Sequence, residues 1–256
     1  MSDAPSGPPP TAWSRYTAAA PEGRGRSTEV ATYGPGIPDE EELRLLGNLE
    51  GKRVLDLGCG AGNASVAFAR AGAKVIAVDP SAEQLELARQ TAEEADVRLE
   101  LQQAGPAELA FVRADGIDIV YSAYALAEVA DLDRVFRQVH RVLKQECPLV
   151  FSLPHPVFTM FVADRKGLVA PTDSPPVLRR RYHDDTTYVF DRGGDRVTDI
   201  PRTTSELFAS LNRANFRVDH LLEPPAQRDQ VADEHWVEPM AWVPPTLVLR
   251  ARKQGI

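Results

Sequence analysis

The stretch "RVLDLGCGAG", residues 53–62, decides the fold. An apolar run stops at three glycines, Gly58, Gly60 and Gly62, and "NASVAFARAGA" follows with helical spacing of its small and apolar residues. Glycines at such a junction permit a sharp turn and let a ligand approach the backbone, because no Cβ stands in the way. Pyrophosphate-binding loops use the spacing G-x-G-x-x-G, whereas here it is G-x-G-x-G, with the carboxylate of Asp56 two residues before the first glycine. An acid there repels a diphosphate and suits a ligand whose near end is cationic, an ammonium beside a sulfonium.

Outward from this junction the unit repeats. "KVIAVD" reads as a second strand ending at Asp79, about twenty residues past the glycines, where a carboxylate can accept hydrogen bonds from ribose hydroxyls. Ser81 with Gln84 forms a capping-box pattern before the next helix. "VRLELQ" and "IDIVYS" supply strands three and four. In "DLDRVFRQVHRVLK" the residues Leu132, Val135, Phe136, Val139, Val142 and Leu143 share one helix face, leaving His140 on the polar side. "PLVFSL" is the fifth strand. A second capping-box pair, Thr203 and Glu206, opens a helix before two final strands, "FRVDHLL" and "PTLVLRAR". Alternation of this kind predicts an α/β fold with a doubly wound, mainly parallel sheet.

Three segments fall outside the alternation. Residues 1–12, rich in Pro, Ser and Gly, are expected to form a disordered tail. Residues 13–256 read as a single domain. Within it, 13–50 form an N-terminal cap with a short helix beginning near Asp39. Residues 154–201 form a lid insertion after strand five, in which two strands flank "RGG" as a hairpin.

Composition narrows the function. Twenty-nine basic against 37 acidic residues give a net charge of -8, which disfavours a nucleic-acid partner. The basic run Arg179, Arg180, Arg181 reads as a solvated face. Cys59 and Cys147 make no disulfide framework or metal-ligand spacing, and no metal is expected. Without a signal-like leader or an apolar run long enough to span a bilayer, a cytoplasmic protein with no membrane partner is expected. Oligomeric state is left open.

The glycine junction, "VDPSAEQLELAR", "DIVYSAYAL" and "FRQVHRVLK" together resemble the class I S-adenosylmethionine-dependent methyltransferases, particularly small-molecule members of the UbiE/UbiG-like group. The resemblance covers roughly residues 33–158, with a weaker echo from 203 onward. It implies a Rossmann-like, seven-stranded sheet whose last strand is antiparallel, with S-adenosylmethionine lying across the carboxyl ends of the first strands. Carried over by position, Gly58, Cys59, Gly60 and Gly62 flank the methionine part. Asp79 meets the ribose, and Pro80 and Gln84 lie near the adenosine. Ser122 and Tyr124 border the methionine and acceptor side. Tyr33, in "YGP", is a candidate for closing the site from the N-terminal side, as are Trp13 and Tyr16. Relatives commonly have Gly-Asp-Ala after strand three, whereas this chain has Ala104, Gly105 and Pro106. Without the usual acid, adenine is left to backbone groups around Gly105, Pro106 and Ala107, or to Glu108.

The implied reaction is methyl transfer to a small-molecule acceptor, O-methylation ahead of N- or C-methylation, with release of S-adenosylhomocysteine. Two residues are candidate catalysts. Glu128 stands where ubiquinone-pathway relatives carry histidine, and a carboxylate there can act as a base. His155, between two prolines after strand five, can take a proton as a neutral imidazole. His183 and His235 are weaker candidates, and Trp236 and Trp242 are candidates for walling the acceptor pocket. The alternatives are a non-catalytic ligand-binding module and an NAD(P)-dependent oxidoreductase.

Overall fold

The computed structural model describes residues 27–164, 167–168, 175–192, 195–231 and 236–255. In chain order the elements begin with α1 (Glu40–Leu43), β1 (Arg53–Leu57), α2 (Asn63–Arg70), β2 (Lys74–Asp79), α3 (Ala82–Glu94), β3 (Glu100–Gln103) and β4 (Ile119–Ala123). A 3-10 turn (Ala125–Glu128), α4 (Leu132–Val142), β5 (Pro148–Pro154) and α5 (Pro156–Val162) follow. Then come the short β6 (Ala163–Asp164) and β7 (Gly167–Leu168), the hairpin β8 (Tyr188–Arg192) and β9 (Asp195–Asp199), α6 (Thr204–Arg213), β10 (Phe216–Leu222) and β11 (Thr246–Lys253).

Seven strands form one sheet in the order β10-β11-β5-β4-β1-β2-β3. β11 runs antiparallel to both neighbours, while β3, β2, β1, β4 and β5 pair in parallel. The expected α/β sheet with an antiparallel last strand is therefore present. β1 has β2 on one side and β4 on the other, so the chain reverses its winding there, and a crevice opens at the carboxyl ends of those strands.

Side-chain alternation on each strand feeds two cores. Leu55, Leu57, Phe136 and Phe151 lie in one, and Val54, Phe68, Tyr121 and Val150 in the other. α4 buries Leu132, Val135, Phe136, Val139 and Val142, each contributing about 1.5–3 kcal/mol before the entropy of ordering is counted. Asp131 caps it by accepting the Arg134 N–H at 2.9 Å. His140 departs from the solvated role expected of it. Its Nε2 lies 3.3 Å from the Gln254 carbonyl oxygen and its ring stands edge-on to Phe216, so burial lowers its pKa.

Three other expectations need correction. α1 has only four residues, because Arg44 turns into the left-handed region at φ 51°. β3 starts at Glu100 rather than Val97, whose N–H is taken by the Ala92 carbonyl at 3.0 Å. Arg180 is no solvated residue. Its side chain is 5% exposed, with its guanidinium 5.2 Å above the centre of the Tyr188 ring.

The hairpin expected in the insertion is present as β8 and β9, in a register that pairs Tyr188 with Asp199. Gly193 and Gly194 of its turn lie outside the described residues, as do the tail 1–12, Trp13, Tyr16 and His235. Beyond β9 the chain is tied to the 3-10 turn. Ile200 N–H donates to the Ala127 carbonyl at 3.1 Å, and the Arg202 guanidinium donates to the carbonyls of Ile200, Val129 and Ala130. These bonds hold the end of the insertion against the segment after β4.

Candidate functional site

The glycine loop folds as its sequence demands. Gly58, Gly60 and Gly62 have φ of 74°, 52° and 81°, all in the region that L side chains rarely adopt. The N–H groups of Gly58 and Cys59 both donate to the Val78 carbonyl, at 2.7 and 3.0 Å, which draws the loop over the end of β2. A Cβ on Gly58 would stand 2.1 Å from the Ala125 Cβ. The loop and the 3-10 turn after β4 are thus in contact, and any side chain at Gly58 would part them.

Two acids support the loop from different sides. Asp79 accepts the Gly60 N–H at 3.0 Å through Oδ2 and the Ser81 N–H at 2.9 Å through Oδ1. Burial raises its pKa, and the two N–H bonds oppose that rise. Each oxygen keeps a second lone pair, so Asp79 can still accept bonds from vicinal hydroxyls. Asp56 is different. It is 1% exposed and accepts the Ser65 hydroxyl of α2 at 2.6 Å. Burial pushes its pKa up to about 7, against the Ser65 bond, with Asp79 adding a smaller upward push. The expected contact between Asp56 and a cationic ligand is therefore not in place. Its carboxyl holds the first turn of α2 beneath the loop instead.

Residues beside Asp79 complete that side of the crevice. Pro80 is exposed. Ala104 N–H donates to the Asp79 carbonyl at 3.2 Å, which brings Gly105, Pro106 and Ala107 against the end of β2. Glu108 is exposed, and its Oε2 accepts the Gly105 N–H at 2.9 Å, which ties it to this segment. Cys59 is buried in the loop, and burial pushes the pKa of its thiol well above the ordinary range.

Several expected contacts fall elsewhere. Tyr33 is fully buried, tilted against Tyr121, and its hydroxyl donates to the Glu40 carboxylate, so it is a core residue and not a gate. Ser122 donates to the Leu57 carbonyl at 2.8 Å and is likewise sealed inside the sheet. Tyr124 adopts φ 62° at the strand's end, and its hydroxyl is bonded to that of Thr246. Gln84 is buried on α3, where its N–H is capped by Ser81. Trp242 is 63% exposed, and Trp236 packs under Arg228. His183 is exposed, edge-on to Tyr182.

The two candidate catalysts separate clearly. His155 is 3% exposed. Its Nδ1 accepts the Val157 N–H at 3.1 Å, capping α5, so Nδ1 carries no proton and Nε2 donates to Glu223 at 2.7 Å. Both nitrogens are occupied, and no lone pair remains to act as a base. Glu128, at the end of the 3-10 turn, reaches solvent in a concave setting. Surrounding protein raises its pKa, and the negative charges of Asp199 and Asp79 push it further the same way.

Asp199 was invisible in the sequence. It is 8% exposed and lines a crevice with Ala127, Leu153, Pro156, Thr159 and Arg202. Burial pushes its pKa up to about 6, opposed by the Tyr188 hydroxyl bond and by Arg202 and Arg180. No motif marks it, since the pairing of β8 with β9 brings it to Tyr188. Among the described residues no group of three or more His, Cys, Asp or Glu side chains is arranged to hold a metal ion, and no helix is long and apolar enough to cross a membrane.

Comparison with known proteins bears on the same elements. A family model described as a methyltransferase domain matches residues 54–146. An uncharacterised protein of Haemophilus influenzae is 26% identical over 216 residues, covering 82% of this chain and 85% of its own length. The ubiquinone biosynthesis O-methyltransferase of Bordetella avium is 39% identical over 108 residues, 42% of this chain and 45% of that protein. The corresponding enzyme of Sodalis glossinidius is 34% identical over 150 residues and is matched over 58% of its length. The chain thus spans roughly half of these O-methyltransferases. The crystal structure of an S-adenosylmethionine-dependent methyltransferase from Mesorhizobium loti superposes with a TM-score of 0.67 at 27% identity, covering 82% of this chain and 94% of that one. A structure from Listeria monocytogenes gives 0.70 at 26%, covering 84% and 96%.

Proposed function

Because the chain is a class I S-adenosylmethionine-dependent methyltransferase, we propose that it methylates a hydroxyl group of a small molecule held between the 3-10 turn after β4 and the insertion after β5. The observation that carries this reading is the turn itself. Its first residue, Ala125, packs on Gly58 of the glycine loop, while Ala127 lines the crevice beneath the insertion and Glu128 ends the turn. One short element therefore joins the cofactor loop to a separate cavity. O-methylation is favoured because the ubiquinone-pathway relatives are O-methyltransferases.

The residues present fit the cofactor. Three positive-φ glycines leave the loop backbone bare, and Asp79 keeps acceptor capacity at the end of β2. The acids nearest the loop that are not sealed in the core, Asp79 and Glu128, suit a cationic nucleoside and not a diphosphate. The glycine loop, Asp79 and the backbone at Gly105, Pro106 and Ala107 would hold it. When bound, S-adenosylmethionine supplies an electrophilic methyl group, so most of the protein's contribution is alignment and exclusion of water.

The chain's own chemistry then falls to Glu128. A carboxylate with a raised pKa is a stronger base than a solvated one, and it can accept the proton that a hydroxyl gives up on methylation. His155 has no part in that transfer. Calorimetric titration with S-adenosylhomocysteine, followed by transfer of labelled methyl to a panel of phenols and alcohols, tests the proposal. Cofactor-product binding with label appearing as aryl or alkyl methyl ether is expected. Label on nitrogen or carbon only, or NADH binding in place of S-adenosylhomocysteine, would overturn it.

A further inference from the structure

We infer that Asp199, carried in from the insertion, is the residue that selects the acceptor, and that the crevice admits neutral or cationic hydroxyl compounds while rejecting anionic ones. The inference rests on the proposed acceptor site and assigns its substrate class.

The argument starts from the walls of the crevice. Ala127, Leu153, Pro154, Pro156, Ile200, Pro201 and Leu207 are apolar, while its polar side chains are Thr159, Asp199 and Arg202. Thr159 spends its hydroxyl on the Pro156 carbonyl at 2.8 Å. Arg202 is the cation that ought to attract a carboxylate or phosphate, but its guanidinium is engaged with three backbone carbonyls, those of Ile200, Val129 and Ala130. It fixes the end of the insertion against the turn, and the acids Asp199 and Glu206 already face its charge. Asp199 is the acid of the lining, and beyond the Tyr188 bond its carboxyl keeps acceptor capacity for a ligand.

Its setting makes it a selective reader. The Tyr188 hydroxyl donates to Oδ2, and the Tyr188 ring is itself covered by Arg180, so the carboxyl is held in one orientation. It is more than nine-tenths buried, in a medium where charge acts at short range with little screening. Glu128, at the end of the turn whose Ala127 lines the crevice, is close enough to feel the charge of Asp199. A hydroxyl can donate to either acid, and an ammonium gains from both, whereas a carboxylate meets two like charges while the nearby cations are already matched, Arg202 by Asp199 and Glu206 and Arg180 by Asp184. Repulsion of that kind across a partly dry crevice reduces affinity by about tenfold or more.

Three catechols of one shape and different charge separate these outcomes: 4-methylcatechol, dopamine and 3,4-dihydroxybenzoate. Each is titrated calorimetrically at pH 8 into the full chain saturated with S-adenosylhomocysteine. The neutral and cationic probes are expected to bind at least about tenfold more tightly than the anionic one. In Asp199→Asn the gap should shrink to about threefold, chiefly by improved binding of the anion. Glu128→Gln, which leaves the hairpin contacts intact, should narrow it as well and serves if Asp199→Asn does not fold. Equal binding of all three probes, an unchanged ratio in both variants, or no binding of any catechol by protein that takes up S-adenosylhomocysteine would overturn the inference. Failure to bind S-adenosylhomocysteine would instead overturn the reading beneath it.

Discussion

The two sides of the crevice are built on different principles. On the cofactor side, the glycine loop, Asp79 and the segment after β3 are joined by backbone bonds between consecutive strands, as in Gly58 N–H and Cys59 N–H to Val78 and Ala104 N–H to Asp79. On the proposed acceptor side, Asp199 comes from an insertion, and Ile200 and Arg202 bond to the carbonyls of Ala127, Val129 and Ala130 more than seventy positions away in sequence. The family model stops at residue 146, before the insertion begins. A binding site made of strand ends is inherited with the sheet, whereas one made by a docked insertion is free to change with its acceptor.

The largest effect expected from breaking this division lies at the point where the two sides touch. Gly58→Val sets a branched side chain against Ala125 at a positive φ, so S-adenosylhomocysteine affinity should fall about 100-fold or more. A melting temperature measured alongside separates loss of the loop from loss of the fold. An unchanged affinity would mean that the loop does not present its backbone to the cofactor.

Next comes the base. Glu128→Gln should lower kcat about 100-fold with little change in S-adenosylhomocysteine affinity. Since the Glu128 pKa is raised in the wild type, turnover should decline as pH falls through that raised value, and the variant's profile should lose this limb. A rate profile that keeps the limb in the variant would point to another base.

Asp56 gives a smaller effect, on stability. Its folded pKa of about 7 exceeds the ordinary 3.8, so the folded state binds the proton more tightly than the unfolded chain. Stability from this group is greatest below about pH 4 and declines as pH rises towards 7, by about 2–4 kcal/mol in total. Asp56→Asn keeps an acceptor for Ser65 without that slope. Relative to wild type, its melting temperature should rise by about 5 °C between pH 4.5 and pH 8. Parallel melting curves for the two proteins across that range would count against a buried, strained carboxyl.

The smallest effect tests a correction. His155→Asn preserves a cap for α5, and should change kcat less than about threefold while costing about 1 kcal/mol of stability through the lost Glu223 bond. A loss of rate near that of Glu128→Gln would restore His155 as a catalyst.

From sequence alone, the strand ends and helix caps were readable because they depend on local spacing. β1, β2 and β10 begin and end where the apolar runs do, and Ser81 and Thr203 cap the helices that follow them. The glycine loop was readable for the same reason, since positive φ and a bare backbone leave a mark at fixed positions. Direction and depth were not. Asp56, Tyr33, Ser122 and His155 are all of the right type and near the right place, yet each spends its polar atoms inside the protein. Whether such a group meets a ligand depends on which partner lies closer, and those partners, Ser65, Glu40, Leu57 and Glu223, are known only once the chain has packed. Asp199 is the converse case, an ordinary acid in sequence that the pairing of two strands buries at the crevice proposed to take the acceptor.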